Sequence, residues 1–361
     1  MRAAILKAFG TPLVVESVPD PHIGPGTGEI IVDVIASRVL NYAHEVLSGQ
    51  RGYLIELPII PGAGAVGRVR ALGSDATRLA IGDWVYCDPT VRSRDDATNP
   101  DITLQGLSAR GEGGLRLQRY FHDGAWAEQM RLPTENAIPI GAIDPSEAGD
   151  WCAMGSYLVP YGGFLAGHLE AGETVLVNGA TGNFGSSAVA VALAMGAGCV
   201  VAAGRNRATL GELVRRFGKR VRIVATTGEE DIDRTAMLAA ASGPIDCVFD
   251  ILPPVASSTQ ARAAIMAVRP YGRVILMGGV NMQGGPGLEL SYAWIMRNCV
   301  TLYGVWMYPP HAPAGLVKLI RSGLLRIDGF ESTSFSLDQI NEAIVHAAAN
   351  PGAFRRTEVR P

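Results

Sequence analysis

Residues 174–206 constrain this chain more than any other stretch. They open with an apolar run, Thr174-Val175-Leu176-Val177-Asn178, that reads as a parallel strand buried on both faces. A glycine turn follows, Gly179-Ala180-Thr181-Gly182-Asn183-Phe184-Gly185. The small, apolar run from Ser186 to Met195 then predicts a helix packed against a sheet, and Cys199-Val200-Val201-Ala202-Ala203 predicts a second strand. Strand, glycine turn, helix and strand in this order make a dinucleotide fingerprint. The same glycines outside that context make only a tight structural turn.

The chemistry explains the residue types. A diphosphate is held by backbone N–H groups and the positive end of a helix dipole. Gly182 lets the backbone approach the phosphates, and Gly185 lets the helix lie close to the strand. Ala180 stands where the fingerprint carries its first glycine, with Gly179 just before it. The expected contacts are therefore Ala180, Thr181, Gly182, Asn183, Phe184 and Gly185. The tip of the second strand selects the coenzyme. An NAD site carries an acidic residue there, about 20 residues on, for the ribose hydroxyls. This chain has Gly204-Arg205-Asn206-Arg207 instead. A carboxylate would repel a 2′-phosphate, whereas arginine forks hold one. The expected cofactor is NADP(H); the competing role for Arg205 and Arg207 is to solvate a helix start.

Composition excludes several classes. At 361 residues the chain is long enough for two domains with full cores. A formal net charge of -3 gives no basic footprint for nucleic acid. No apolar run reaches the length of about 18 residues that a membrane-spanning helix needs. The five cysteines, Cys87, Cys152, Cys199, Cys247 and Cys299, form no CxxC pair, so neither a disulfide framework nor a zinc cluster is expected. Residues 1–9 lack the apolar segment of a signal peptide and read as an edge strand, which makes the cytoplasm the expected compartment.

In chain order, residues 1–150 are short strands and turns. Strands are predicted over 2–8, 13–18, 29–36, 68–71 and 84–87, a loop over 24–28, and a short helix over 41–47. Residues 89–114 are polar and without clear periodicity, and read as a loop: a lid, an interface segment or a disordered stretch. Residues 148–166 predict a helix linking two domains. Beyond the fingerprint, strands over 222–225, 246–251, 273–277 and 301–305 alternate with helices over 208–217, 235–241 and 257–268. That alternation predicts a doubly wound parallel sheet, whose ligands sit beyond the carboxyl ends of its strands. Gly278, Gly279 and Val280 follow one such end and are candidates for the nicotinamide half. Helices are expected at 314–322 and 336–349, the second with Ser336 as its N-cap.

Five markers, Pro61-Gly62-x-Gly64-Ala65-x-Gly67, Gly82-Asp83-x-Val85, Gly124-Ala125-x-Ala127-Glu128, the 179–185 turn and Gly272-Arg273-Val274, span nearly the whole chain. Together they resemble the medium-chain dehydrogenase/reductase superfamily, in particular its zinc-free quinone oxidoreductase-like branch. The resemblance implies a GroES-like β-barrel domain over 1–151 and 308–361, plus a Rossmann domain over 152–307. It places the four catalytic zinc ligands of metal-dependent members on Leu40, Ala63, Gly64 and Gly155, none of which offers a donor side chain. The structural zinc lobe falls after Cys87, where no further cysteine occurs up to Glu128. No metal is expected.

The resemblance also makes Tyr42 the counterpart of a relay hydroxyl, with Asn41 as a further donor and His44 or Glu45 as a route for a proton. The alternatives are an ordinary buried tyrosine and a surface histidine. The implied activity is NADPH-dependent, zinc-independent reduction of an activated C=C bond in an enone or quinone. A metal-free carbonyl reductase or alcohol dehydrogenase, and a non-catalytic NADPH-binding protein, stay open beside it. The expected partner is a small-molecule carbonyl, enone or quinone, and the expected assembly a homodimer or homotetramer.

Overall fold

A computed structural model describes residues 1–24, 28–241 and 243–361. Pro25, Gly26 and Thr27 of the expected 24–28 loop lie outside the described residues. The chain forms two compact units. One comprises Met1–Gly155, Ile327–Pro351 and Arg355–Pro361; the other comprises Ser156–Arg326 and Gly352–Phe354. The sequence-based boundaries were 151/152 and 307/308.

In the first unit, β1 (Arg2–Ile5) and β2 (Val14–Ser17) form an antiparallel hairpin. β3 (Glu29–Val39) is the spine of a seven-stranded sheet. Its alternation does what the residues predict: Ile30, Val32 and Val34 share one core cluster. α1 (Ala43–Leu47) follows, and β4 (Ala65–Leu72) and β5 (Trp84–Cys87) continue the sheet antiparallel. Residues 89–114 are not the loop that their polarity suggested. They build a three-stranded antiparallel sheet of β6 (Thr90–Arg92), β7 (Ile102–Leu104) and β8 (Ser108–Ala109), and they lead into α2 (Gly111–Tyr120). The strands are two or three residues long, too short for a period of two to register. β9 (Gln129–Pro133) pairs with β3, and β10 (Ala137–Pro139) pairs with β5. The chain then turns through α3 (Ala148–Trp151) into α4 (Met154–Ala166).

Two C-terminal strands that carry no apolar pattern complete the first sheet. Arg355–Arg360 pairs antiparallel with β3 and parallel with Glu331–Ser336. Between them, the helix Ile340–Ala349 follows a short turn that Ser336 opens with a capping box to Gln339.

The second unit is a six-stranded parallel sheet. Its strands are β11 (Thr174–Asn178), β12 (Cys199–Gly204), β13 (Val221–Ala225), β14 (Ile245–Asp250), β15 (Val268–Leu276) and β16 (Thr301–Gly304). Their spatial order is β13-β12-β11-β14-β15-β16. The order reverses between β11 and β14, so the crevice for a ligand opens at their carboxyl ends. Helices α5 (Asn183–Ala194), α6 (Arg207–Phe217), α7 (Glu230–Ala240) and α8 (Ser258–Ile265) make the crossovers. α9 (Tyr292–Asn298), which has no fully buried residue, and α10 (Ala312–Arg321) complete the unit. Among the described residues, no helix is long and apolar enough to cross a membrane.

Candidate functional site

The glycine turn sits where the second unit needs it, between β11 and α5. Gly179 turns the chain with φ of 90°, which an L side chain rarely adopts. A Cβ on Gly185 would overlap the Gly179 carbonyl oxygen, so glycine there is what lets α5 pack on its strand. Gly182 is different. A Cβ there would meet nothing nearer than the Gly179 oxygen at 3.6 Å, so the surface beside it is open. Gly182 is also the N-cap of α5 and supplies no capping side chain. A helix start without a side-chain cap, next to open space, fits a phosphate. Asn183 holds the turn to α4, its Oδ1 accepting from the Ser156 hydroxyl at 2.8 Å.

The tip of β12 abuts this turn. A Cβ on Gly204 would lie 2.6 Å from Thr181 Cγ2. Arg205 and Arg207 are exposed, while Asn206 caps α6 by accepting the Thr209 N–H at 3.1 Å. The sequence grouped these three residues together; their roles separate, with two guanidinium groups facing water and one amide holding a helix. Beyond β15, the Met277 N–H donates to the Asp250 carbonyl and the Gly279 N–H to that of Leu252. Gly278 packs so tightly that a Cβ would lie 2.8 Å from Asp250 Oδ1. Val280 packs on the core cluster of this sheet. The residues 180–185, 204–207 and 278–280 thus lie at the carboxyl ends of their strands, where ligands of such sheets sit.

Two polar residues at the same edge escaped the sequence reading. Asn178 ends β11 and Asp250 ends β14, both 2% exposed. Burial pushes the Asp250 carboxyl up to about 6, against the opposing hydrogen bonds from Asn178 and the Leu252 N–H. Their signal was available: each is a polar residue that ends a strand directly after an apolar run, Val175-Leu176-Val177 and Cys247-Val248-Phe249.

In the first unit, Tyr42 immediately precedes α1 and packs its ring on an apolar cluster. The Arg51 guanidinium lies over that ring, 4.1 Å from its centroid. Burial, helped by Tyr53 and opposed by Arg38 and Arg51, pushes the Tyr42 hydroxyl up to about 12. Tyr42 is therefore a proton-bearing donor at neutral pH and a reluctant acid. Asn41 is half-buried and His44 exposed. Glu45 accepts from Arg51 Nε at 2.8 Å, which ties it into an ion pair.

A small pocket of about 20 Å³, room for a water-sized group, lies in this unit. Leu40, Ala63, Gly62, Trp126 and Arg38 are among its lining residues; Tyr42, Asn41 and His44 are not. The remaining two expected ligand positions, Gly64 and Gly155, pack against Tyr86 and Arg38. None of the four positions that the resemblance assigns to a catalytic zinc carries a donor side chain. Among the described residues, no group of three or more His, Cys, Asp or Glu could hold a metal ion.

Comparison with known proteins follows the same division. Residues 26–142 match the alcohol dehydrogenase GroES-like domain, and residues 184–322 match the zinc-binding dehydrogenase family. An acryloyl-coenzyme A reductase of Metallosphaera sedula is 26% identical over 334 residues, 90% of this chain and 90% of its own. An L-threonine 3-dehydrogenase of Saccharopolyspora erythraea is 27% identical over 320 residues, 85% of this chain and 84% of its own. The crystal structure of an alcohol dehydrogenase from Aeropyrum pernix has a TM-score of 0.78 at 21% identity, covering 100% of each chain, a likeness of fold.

Proposed function

This chain belongs to the medium-chain dehydrogenase/reductase superfamily, and we propose that it is a zinc-independent, NADPH-dependent reductase of a C=C bond conjugated to a carbonyl group. The observation that carries the coenzyme assignment is the pairing of an uncapped helix start at Gly182 with the exposed arginines of the β12 tip. Bound there, NADPH would supply a hydride to the substrate. Gly182 and the first turn of α5 would hold the diphosphate, and Arg205 and Arg207 the 2′-phosphate.

The protein's remaining task is to hold the substrate oxygen while it gains charge. Tyr42 is assigned as a donor to that oxygen, with Asn41 as a second donor. Its raised proton affinity suits donation without loss of the proton. His44, exposed on α1, is assigned to exchange a proton with solvent. The acryloyl-coenzyme A reductase relative supports the conjugated C=C as acceptor. The threonine dehydrogenase relative supports a second reading, in which the same donors serve a C=O or C–OH group. A dimer or tetramer working on a small soluble substrate accompanies both readings.

NADPH oxidation measured against matched enones, quinones, an acryloyl thioester and saturated ketones tests the assignment. Turnover of the conjugated acceptors, at least about tenfold above ketones in kcat/KM, is expected. Preference for ketones moves the protein to the second reading. Tight NADPH binding with no turnover on any acceptor makes it a non-catalytic binding protein.

A further inference from the structure

Asp250 is a buried carboxyl without a countercharge. It ends β14 at the point where the strand order reverses, and it is 2% exposed. The elements packed against it present neutral groups. From β11 comes the Asn178 amide, which donates to Oδ2 at 2.8 Å and is tied in turn to the Gln260 carbonyl of α8. From the segment after β14 comes the Leu252 N–H, 3.4 Å from Oδ1. From the segment after β15 comes Gly278, where a Cβ would stand 2.8 Å from the same oxygen. No cation pairs with the carboxyl among the described residues. An unpaired charge is costly to bury, and burial accordingly pushes this group up to about 6. The carboxyl therefore stands close to its titration range at neutral pH, where an approaching positive charge tips it toward ionisation.

The ligand expected at this edge changes its charge. A nicotinamide ring is neutral while it carries its hydride and positive once the hydride has left. Gly278, the first residue of the segment expected to hold that half of the coenzyme, packs directly on the carboxyl. We propose that Asp250 makes the site discriminate between the two redox forms of its coenzyme, its carboxylate supplying the countercharge of the oxidised ring. The inference rests on the coenzyme reading above. Where Asp250 is protonated in the free protein, binding of NADP⁺ releases that proton to solvent and leaves a carboxylate beside a ring cation. Binding of NADPH releases none, because the reduced ring brings no positive charge. By linkage, the factor by which ionisation tightens NADP⁺ is also the factor by which NADP⁺ promotes ionisation. No direct contact is required, since the attraction acts across the Gly278 main chain in a medium of low dielectric.

Titration of the wild type with NADP⁺ and with NADPH, from about pH 5.5 to about pH 8, tests this. The 2′-phosphate ionises in the same window, but it does so in both forms, so the ratio of the two dissociation constants is the readout. That ratio should move toward NADP⁺ by at least about fivefold across the window. Calorimetry at about pH 6, in two buffers of different ionisation enthalpy, should show more protons released by NADP⁺ than by NADPH. Asp250→Asn keeps the shape and can still accept from Asn178, but it carries no charge. Its ratio should stay at the low-pH value throughout, with NADPH affinity within about twofold of wild type. A wild-type ratio that does not change with pH, or one that changes equally in Asp250→Asn, overturns the proposal and leaves the coenzyme reading standing. Failure of the wild type to bind either form overturns both. Should Asp250→Asn not fold, the wild-type measurements decide: a moving ratio with the extra proton release supports the proposal, and equal proton release by the two forms overturns it.

Discussion

Asn178 donates from Nδ2 to Asp250 Oδ2 at 2.8 Å, bridging the carboxyl ends of β11 and β14 where the strand order of the sheet reverses. The same amide reaches the Gln260 carbonyl at 3.1 Å, tying the pair to α8. The crevice floor at this point is thus a buried, hydrogen-bonded carboxyl rather than an apolar surface.

The pair predicts a pH dependence of stability. Burial raises the Asp250 carboxyl from 3.8 to about 6 in the folded protein. The native state therefore keeps a proton that the unfolded chain has released. The contribution is fully present below about pH 4 and is lost as pH rises through about 6, a change on the order of 3 kcal/mol. Chemical denaturation from pH 4 to 8 should show wild type losing that much relative to Asp250→Asn. A constant difference between the two proteins contradicts it.

Two glycines of the turn should separate folding from binding. Gly185→Ala drives a methyl into the Gly179 carbonyl and should cost about 1–3 kcal/mol, read as a lower denaturation midpoint. Gly182→Ser meets open space, and its hydroxyl can cap α5. Stability should hold or rise slightly, while NADPH affinity falls at least about tenfold because the new cap competes with phosphate. Equal effects of both changes on melting and binding would contradict the assignment.

The arginines of the β12 tip should act on one coenzyme only. Arg205→Ala with Arg207→Ala should weaken NADPH by about 10- to 100-fold, the loss of one or two charge-assisted hydrogen bonds, and leave NADH within about twofold. Isothermal titration of both coenzymes measures it. A parallel loss for NADH would assign the arginines to the diphosphate or to the fold.

Tyr42→Phe should lower kcat about tenfold or more with little change in NADPH affinity. Because the Tyr42 hydroxyl is pushed up to about 12, its ionisation should produce no alkaline limb below about pH 11 in the kcat profile. An alkaline limb near pH 9 that Tyr42→Phe abolishes would make Tyr42 a titrating acid, contrary to its surroundings.

What was legible in the sequence follows from which forces leave a local pattern. β11 and β12 are buried on both faces, so they read as unbroken apolar runs, and the glycine turn between them obeys rules that extend over only seven residues. The strand Arg355–Arg360 leaves no such pattern. Glu358 is 1% exposed within it and accepts from Ser334 Oγ at 2.6 Å, Arg360 Nε at 3.0 Å and Arg356 Nε at 3.2 Å. A strand held by a buried ion network is invisible to hydrophobic periodicity. The meeting of Arg38, Tyr86 and Gly155 joins β3, β5 and the start of α4, residues 48 to 117 positions apart. Only the folded chain brings them together.

Titration of the purified wild-type protein with NADPH and with NADH, followed by fluorescence, tests the central assignment most directly. The glycine turn and the bare arginines of the β12 tip predict NADPH binding at least about tenfold tighter than NADH. Tighter binding of NADH, or binding of neither coenzyme, would contradict it.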